Sequence, residues 1–149
     1  MKTNVLMVCL GNICRSPLAE GILKSKVNSE TVFVDSAGTA GYHTNKPPDS
    51  RSIEVAHTYG IDISKQRCRK FSSVDFERFD FIYVMDKENY NNVLKLSSTE
   101  AQQNKVRFLL SEIDGSDNEV PDPYYGGKDG FETVFKIIES ACKQIAKRL

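Results

Sequence analysis

The sequence has no tryptophan, only two histidines and no long apolar segment. Its longest run of purely apolar residues extends from Val5 to Leu10, far short of the ~20 residues needed to cross a bilayer. Neither sign of charge dominates, because 20 basic residues balance 20 acidic ones, so no overall field attracts nucleic acid or an anionic membrane. The stretch after Lys2 is too short for a signal peptide. We therefore expect a cytoplasmic protein that binds neither nucleic acid nor membrane.

The four cysteines lack the spacing of a metal site. They stand at positions 9, 14, 68 and 142, with no C-x-x-C pair and no histidines at zinc-finger spacing. This pattern argues against a bound metal, and no other feature of the sequence calls for a cofactor. A length of 149 residues fits one domain, residues 1–149, which at this size buries enough surface to fold without disulfides or metal.

What the sequence does contain is a segment from Val5 to Glu20 that joins a strand, a loop and a helix. The apolar run reaches Cys9, and Ser16-Pro17 stands where a helix would begin, since proline is favoured in the first turn. Gly11 and Asn12 tolerate the positive φ that a tight turn between them requires. Such a turn at a helix N-terminus offers free N–H groups, so the segment predicts a phosphate-binding site.

Two side chains of this segment carry chemistry. Arg15 has a planar guanidinium that meets two oxygens of a phosphoryl group at once, which a lysine cannot do. The helix N-terminus and Arg15 together favour a thiolate at Cys9, which makes the sulfur a nucleophile. A cysteine at the end of an apolar strand is, taken alone, more often a small buried hydrophobic residue. Its combination with the glycine, the arginine six residues later and the serine–proline pair favours the catalytic interpretation.

Segments typical of strands and helices alternate along the chain, which predicts a three-layer α/β domain with a parallel four-stranded sheet and helices on both faces. We expect strands near residues 5–9, 31–36, 81–85 and 106–109, helices near 17–27, 52–59, 73–79, 87–96 and from 130 onward, and a long polar loop over 111–127. The first strand should be central, which puts Cys9 in the crevice at the carboxyl edge of the sheet.

The low-molecular-weight protein tyrosine phosphatases have a signature that this chain resembles. The matching residues are Cys9-Leu10-Gly11-Asn12-Ile13-Cys14-Arg15-Ser16-Pro17, and the similarity continues in Val34-Asp35-Ser36-Ala37-Gly38, Pro47-Pro48-Asp49-Ser50-Arg51, Val84-Met85-Asp86 and Asp122-Pro123-Tyr124-Tyr125-Gly126. The resemblance covers nearly the whole chain in one order. It implies a flavodoxin-like winding of the sheet.

The resemblance also implies metal-independent hydrolysis of protein phosphotyrosine, an aryl phosphomonoester, through a phosphocysteine at Cys9. Asp122 would be the general acid, and two flanking prolines restrict its backbone. The phosphate would be held by Leu10, Gly11, Asn12, Ile13, Cys14, Arg15 and Ser16, with support from Ser36 and Asp86, and the substrate pocket would contain Tyr42, Tyr124 and Tyr125. The partners would be tyrosine-phosphorylated proteins or peptides, with inorganic phosphate as product or inhibitor.

Alternative functions and roles stay open at this point. Bacterial phosphoarginine phosphatases of the same family often have threonine at the position of Ile13, so isoleucine favours phosphotyrosine without excluding phosphoarginine. A thiol-coupled arsenate reductase would need further cysteines, and Cys68 has no partner before Cys142. Asp86 is compatible with a second role as the N-cap of the following helix. Tyr42 is compatible with a loop residue that only shields the core.

Two further hypotheses concern the loop itself. Cys9 and Cys14 lie at the two ends of one tight turn, so a reversible disulfide between them would protect the nucleophile from over-oxidation. Family members commonly have a histidine that bonds the loop asparagine, which is Asn12 here. This sequence has Lys65 and Gln66 in that neighbourhood, and Gln66 is the candidate replacement.

Overall fold

The computed structural model describes residues 2–114, 119–124 and 128–149. Its strands are β1 (Thr3–Cys9), β2 (Val32–Gly38), β3 (Phe81–Val84) and β4 (Val106–Phe108), and its helices are α1 (Arg15–Lys24), α2 (Ser50–Thr58), α3 (Asp75–Arg78), α4 (Lys87–Leu94), α5 (Glu100–Gln103), α6 (Ser111–Asp114) and α7 (Lys128–Arg148). All four strands are parallel, in the order β2-β1-β3-β4. The predicted α/β class with a four-stranded parallel sheet and a central first strand is confirmed.

β1 is buried on both faces of the sheet, which explains why its sequence is apolar without alternation. Val5 and Met7 belong to a core shared with α1 and α7 on one face. Leu6 and Val8 belong to a second core, which α3 and α4 cover on the other face. The sheet is therefore the middle layer of three, as predicted.

The functional edge of the sheet follows from its topology. β2 lies on one side of β1 and β3 on the other, so the direction in which the chain adds strands reverses at β1. Open α/β sheets form their ligand crevice outside the carboxyl ends of the strands at such a point. Cys9 ends β1 and Asp86 follows β3, so both residues reach this crevice.

Several helix boundaries differ from the predictions. α1 begins at Arg15 with Cys14 as its N-cap, one residue before Ser16, and it ends at Lys24 rather than near residue 27. Its last turn tightens, because the N–H of Ser25 donates to two carbonyls of the preceding turn. The predicted long loop begins with α6, and α7 begins at Lys128, two residues before its predicted start. α5 was not predicted because a four-residue helix is too short to show periodicity. In the described ranges, no helix combines the length and the apolar character of a membrane span.

Candidate active site

Cys9 lines a pocket with a volume of about 220 Å³ at the carboxyl edge of the sheet. The residues that line this pocket are Cys9, Leu10, Gly11, Ile13, Cys14, Arg15, Tyr42, His43, Asp122 and Tyr124. Cys9 itself is only 3% exposed. The Ser16 hydroxyl lies 3.0 Å from its Sγ, and the Ser16 N–H donates to the same sulfur at 3.4 Å. The sulfur therefore lies deep in the pocket, among donors at the N-terminus of α1.

The turn between Cys9 and α1 uses one left-handed residue. Asn12 has a φ of 56°, which agrees with the predicted tolerance of asparagine for this conformation. Gly11 does not share the positive φ that we expected for it. A Cβ added at Gly11 would instead lie 3.3 Å from Cδ2 of His43. Glycine at this position thus makes room for the neighbouring imidazole.

Asn12 is held by hydrogen bonds on both its backbone and its side chain. Its carbonyl accepts a hydrogen bond from Sγ of Cys68 at 2.7 Å, and its Oδ1 accepts the N–H of Arg69 at 3.0 Å. Its Nδ2 donates to Oγ of Ser16 at 2.8 Å and to Oγ of Ser36 at 3.0 Å. These contacts fix the left-handed residue and connect the loop to β2 and to the segment before α3.

The hypothesis that Gln66 replaces the family's histidine is wrong. Its Nε2 donates to the carbonyl of Pro17 at 3.1 Å, while the backbone of Arg69 and the thiol of Cys68 bond Asn12. Burial, and then the charge of Cys9, raises the pKa of Cys68 to about 11, so this thiol keeps its proton and donates. Sequence reasoning gave Cys68 no contact with the loop and therefore missed this hydrogen bond.

Glu20 was also missed, although it extends the same set of hydrogen bonds. The Ser36 hydroxyl donates to its Oε1 at 2.6 Å, and Nζ of Lys24 donates to its Oε2 at 2.6 Å. Glu20 is 4% exposed, and burial raises its pKa against the opposing effects of Lys24 and Ser36. The available signal was its place one turn after Ser16 and next to buried apolar residues of α1, because glutamate is almost never buried without partners.

Arg15 is buried and is held from the side of β3. Its Nη1 donates to Oδ2 of Asp86 at 2.6 Å and to the carbonyl of Val120 at 3.1 Å. Burial disfavours the charged guanidinium, but the negative charges of Cys9 and Asp86 outweigh it and raise the pKa of Arg15. Asp86 also caps α4, because its Oδ1 accepts the N–H of Asn89 at 2.8 Å. Asp86 thus both supports Arg15 and caps α4, the two roles that the sequence left open.

Asp122 reaches the pocket from far along the chain. The N–H of Val120 donates to the carbonyl of Met85 at 2.8 Å, which ties this segment to the end of β3. Oδ2 of Asp122 lies 3.8 Å from Nη2 of Arg15, and its Oδ1 accepts the N–H of Tyr124 at 3.0 Å. The Asp122 side chain is 40% exposed, so water and a ligand can reach the carboxylate.

Aromatic side chains form the walls at the mouth of the pocket. Tyr42 is 75% exposed and meets the ring of His43 edge to face, with 6.5 Å between the ring centroids. On another wall, the guanidinium of Arg51 lies 5.3 Å from the ring centroid of Tyr124. His43 was not among the predicted pocket residues. Tyr125 lies outside the described residues, so its place in the pocket stays a prediction.

Together, these features define an α/β protein that has a thiol, a guanidinium and a carboxylate around one pocket at a helix N-terminus. Such a helix end favours anions of the size of phosphate. Among the described residues, no three His, Cys, Asp or Glu side chains are grouped so that they could hold a metal ion.

Comparison with known proteins identifies the family. The family described as low molecular weight phosphotyrosine protein phosphatase matches residues 4–149. A low molecular weight protein-tyrosine-phosphatase of Streptomyces coelicolor is 39% identical, over 95% of this chain and 90% of that protein. The human low molecular weight phosphotyrosine protein phosphatase is 35% identical, over 97% of this chain and 94% of that protein.

Solved structures agree with the sequence matches. The protein tyrosine phosphatase of Entamoeba histolytica has a TM-score of 0.91 at 38% identity, covering 99% of this chain and 96% of that one. Wzb of Vibrio vulnificus, in complex with benzylphosphonate, has a TM-score of 0.89 at 28% identity, covering 100% of both chains. The chain belongs to the low molecular weight phosphotyrosine protein phosphatase family. It is therefore an enzyme of the protein-tyrosine-phosphatase class, with Cys9 at the expected position in the loop.

Proposed function

We propose that this protein hydrolyses phosphotyrosine in proteins or peptides in two steps, with Cys9 as the nucleophile and without a metal. The observation that carries the proposal is the meeting of three groups at one pocket: the sulfur of Cys9, the guanidinium of Arg15 and the carboxylate of Asp122, the last two 3.8 Å apart. Cys9 and Arg15 come from one seven-residue stretch, whereas Asp122 is distant in sequence. If Cys9 were only a structural residue, the guanidinium and the carboxylate would not need to meet it at one pocket.

In the first step, the sulfur of Cys9 attacks phosphorus in line with the bond to the phenol oxygen. The S–P bond forms as the P–O bond breaks, and Arg15 with the N–H groups of residues 10–16 holds the three equatorial oxygens. Asp122 gives its proton to the departing phenol oxygen. The salt bridge from Arg15 to Asp86 keeps the guanidinium aimed at the phosphoryl group.

In the second step, water attacks the phosphocysteine, and Asp122 takes the proton that this water releases. The P–O bond to water forms, the S–P bond breaks, and Cys9 leaves as a thiolate with inorganic phosphate as the product. The Ser16 hydroxyl, 3.0 Å from the sulfur, donates to it and so stabilises the leaving thiolate. Asp122 ends the cycle protonated, ready for the next ester.

The pocket walls favour a flat aromatic substrate. Leu10, Ile13, Tyr42 and Tyr124 supply apolar surface around a sulfur that is almost fully buried, so a short aliphatic phosphoester would not reach it. The apolar side chain of Ile13 offers no hydrogen bond to a phosphorylated guanidinium, which supports phosphotyrosine over phosphoarginine. The complex of the Vibrio vulnificus relative with benzylphosphonate, a phosphonate with an aromatic ring, supports the same substrate class.

Hydrolysis of para-nitrophenyl phosphate in the presence of EDTA tests the proposal. We expect turnover by the unaltered protein, none by Cys9→Ser, and phosphate binding retained in Cys9→Ser but lost in Arg15→Ala. Cys142→Ser is the matched control, because Cys142 is a fully buried cysteine on α7 away from the pocket. Turnover by Cys9→Ser, or its loss on chelation, would contradict the proposal, and thiol-coupled reduction of arsenate would favour the reductase instead.

A further inference from the structure

The loop between β2 and α2 forms one wall of the pocket and runs beside a second, basic segment. The N–H of Gly38 donates to the carbonyl of Arg69, and the N–H of Asn45 donates to the carbonyl of Cys68, both at 2.8 Å. The N–H of Cys68 returns a bond of 2.8 Å to the carbonyl of Lys46. These bonds fix the two segments side by side, so their exposed side chains border the same wall.

Two lysines extend from this pair of segments next to the residues that line the pocket. The N–H of Lys46 donates to the carbonyl of His43 at 2.9 Å, so a tight turn brings Lys46 back to the pocket wall. Cδ of Lys70 lies 3.6 Å from the position of a Cβ on Gly41, the residue before Tyr42. Both lysines are exposed. We name Lys46 and Lys70 the basic rim.

The charges of the basic rim are not neutralised within the described part of the chain. Neither Lys46 nor Lys70 forms an ion pair there. Arg69, the residue before Lys70, differs, because its guanidinium is paired with Asp35 and Asp75, each at 3.1 Å. In a chain with no net charge, two unpaired cations at the mouth of the pocket form a local positive field.

We propose that the basic rim binds acidic side chains that flank the phosphotyrosine of a protein substrate. This inference rests on the proposed function and names its substrate class. When the phosphotyrosine ring enters between the aromatic walls, the peptide on the side of Tyr42 and His43 passes next to the basic rim. An acidic flank gains a charge pair there, whereas a basic flank is repelled. Exposed pairs of this kind act mainly on association and are weakened by salt.

Two phosphotyrosine peptides that differ only in their flanks test the inference. One has aspartate and glutamate beside the phosphotyrosine, and the other has asparagine and glutamine. For the unaltered protein at low ionic strength, we expect kcat/KM to be roughly three- to tenfold higher for the acidic peptide. The difference should lie in KM, and it should shrink at about 0.5 M salt, where the Debye length is only a few ångströms.

Matched double variants separate the basic rim from overall charge. Lys46→Gln with Lys70→Gln should abolish the preference for the acidic peptide. Lys143→Gln with Lys147→Gln, which removes the same charge from exposed positions on α7, should retain it. Equal kcat/KM for the two peptides in the unaltered protein, or a preference that survives loss of the rim, would overturn the inference. Para-nitrophenyl phosphate, which has no flanking residues, should be hydrolysed equally by the unaltered protein and by both double variants. If the unaltered protein did not hydrolyse it, that result would refute the proposed function instead.

Discussion

The buried carboxylate of Glu20 accepts a hydrogen bond from the hydroxyl of Ser36 at 2.6 Å, although neither residue lines the pocket. Because the Ser36 hydroxyl donates to Glu20, its oxygen accepts a hydrogen bond from the side-chain amide of Asn12 at 3.0 Å. The same amide donates to Ser16 at 2.8 Å, and the Ser16 hydroxyl lies 3.0 Å from the sulfur of Cys9. The Ser36 hydroxyl accepts from the amide and donates to the carboxylate, so Glu20 orients the amide through Ser36. Because the amide also donates to the oxygen of Ser16, the Ser16 proton stays free for the sulfur.

Removal of the Glu20 side chain should therefore slow the breakdown of the phosphocysteine. In Glu20→Ala, the Ser36 hydroxyl loses its acceptor and Asn12 loses a fixed orientation, so we expect kcat to fall about tenfold. Burst kinetics with para-nitrophenyl phosphate should place the loss in the second step. Lys24→Ala, which removes only the exposed partner of Glu20, should leave kcat close to that of the unaltered protein. A normal rate of the second step in Glu20→Ala would refute the role of these hydrogen bonds in catalysis.

The same carboxylate should make stability depend on pH. Burial raises the pKa of Glu20 above its ordinary value of 4.5, so the folded state favours the protonated form. Its favourable contribution is complete below the unfolded pKa and is lost as pH rises through the higher, folded pKa. Glu20→Gln should thus gain stability relative to the unaltered protein as pH rises from about 4 to 7, measured by urea unfolding. A constant difference across that range would contradict this assignment.

Asp86 should affect activity more than stability when only its charge is removed. Asparagine caps helices as well as aspartate does, so Asp86→Asn should keep α4. It loses the charge that meets Arg15 at 2.6 Å, and we expect kcat/KM to fall about tenfold while the inhibition constant of phosphate rises. Thr99→Ala is the control, because it removes the cap of α5 without touching the pocket. That variant should lower the Tm and leave kcat/KM unchanged.

Asp122 should matter most for poor leaving groups. Asp122→Asn keeps an oxygen that can accept the N–H of Tyr124, so the local turn should persist. It cannot supply a proton, and kcat should fall by ~10²–10⁴ with phenyl phosphate but less with para-nitrophenyl phosphate, whose phenolate leaves without help. Equal losses with the two esters would show that the variant disturbs binding and not proton transfer.

The sequence predicted the parts of the site that depend on residue type and short spacing. Cys9 and Arg15 belong to one local strand–loop–helix pattern, and the prolines around Asp122 are visible without a structure. The contacts that support the loop are different, because they join residues far apart in sequence. Cys68 reaches Asn12 across 56 positions, and nothing local to either residue indicates that they meet. The expectation for Gln66 failed for the same reason.

Helix boundaries also depended on contacts that a periodic pattern does not contain. Cys14 caps α1 without a side-chain hydrogen bond, so no typical N-cap residue marked the start of the helix. The sequence predicted that Gly11 serves a positive φ, whereas in the structure its missing side chain leaves room for His43. That role depends on a loop that only the fold brings near.

The rate at which a disulfide closes between Cys9 and Cys14 should depend strongly on pH. Both thiols are free and line the same pocket. Burial, then the charges of Asp49 and Cys9, raises the pKa of Cys14 to about 12. Peroxide converts Cys9 to a sulfenic acid, and the Cys14 thiolate must then attack that sulfur and displace hydroxide.

Because little Cys14 is ionised at neutral pH, closure should be slow at pH 7 and should accelerate by about tenfold per pH unit up to pH 9. Mass spectrometry of the peroxide-treated protein, quenched at intervals, measures the loss of two hydrogens against the gain of two oxygens on Cys9. Slow closure at pH 7 predicts that the irreversible sulfinic acid competes with the disulfide, and Cys14→Ser should give the sulfinic acid alone at every pH. A closure rate that did not change between pH 7 and 9 would show that the Cys14 thiolate is not the attacking species.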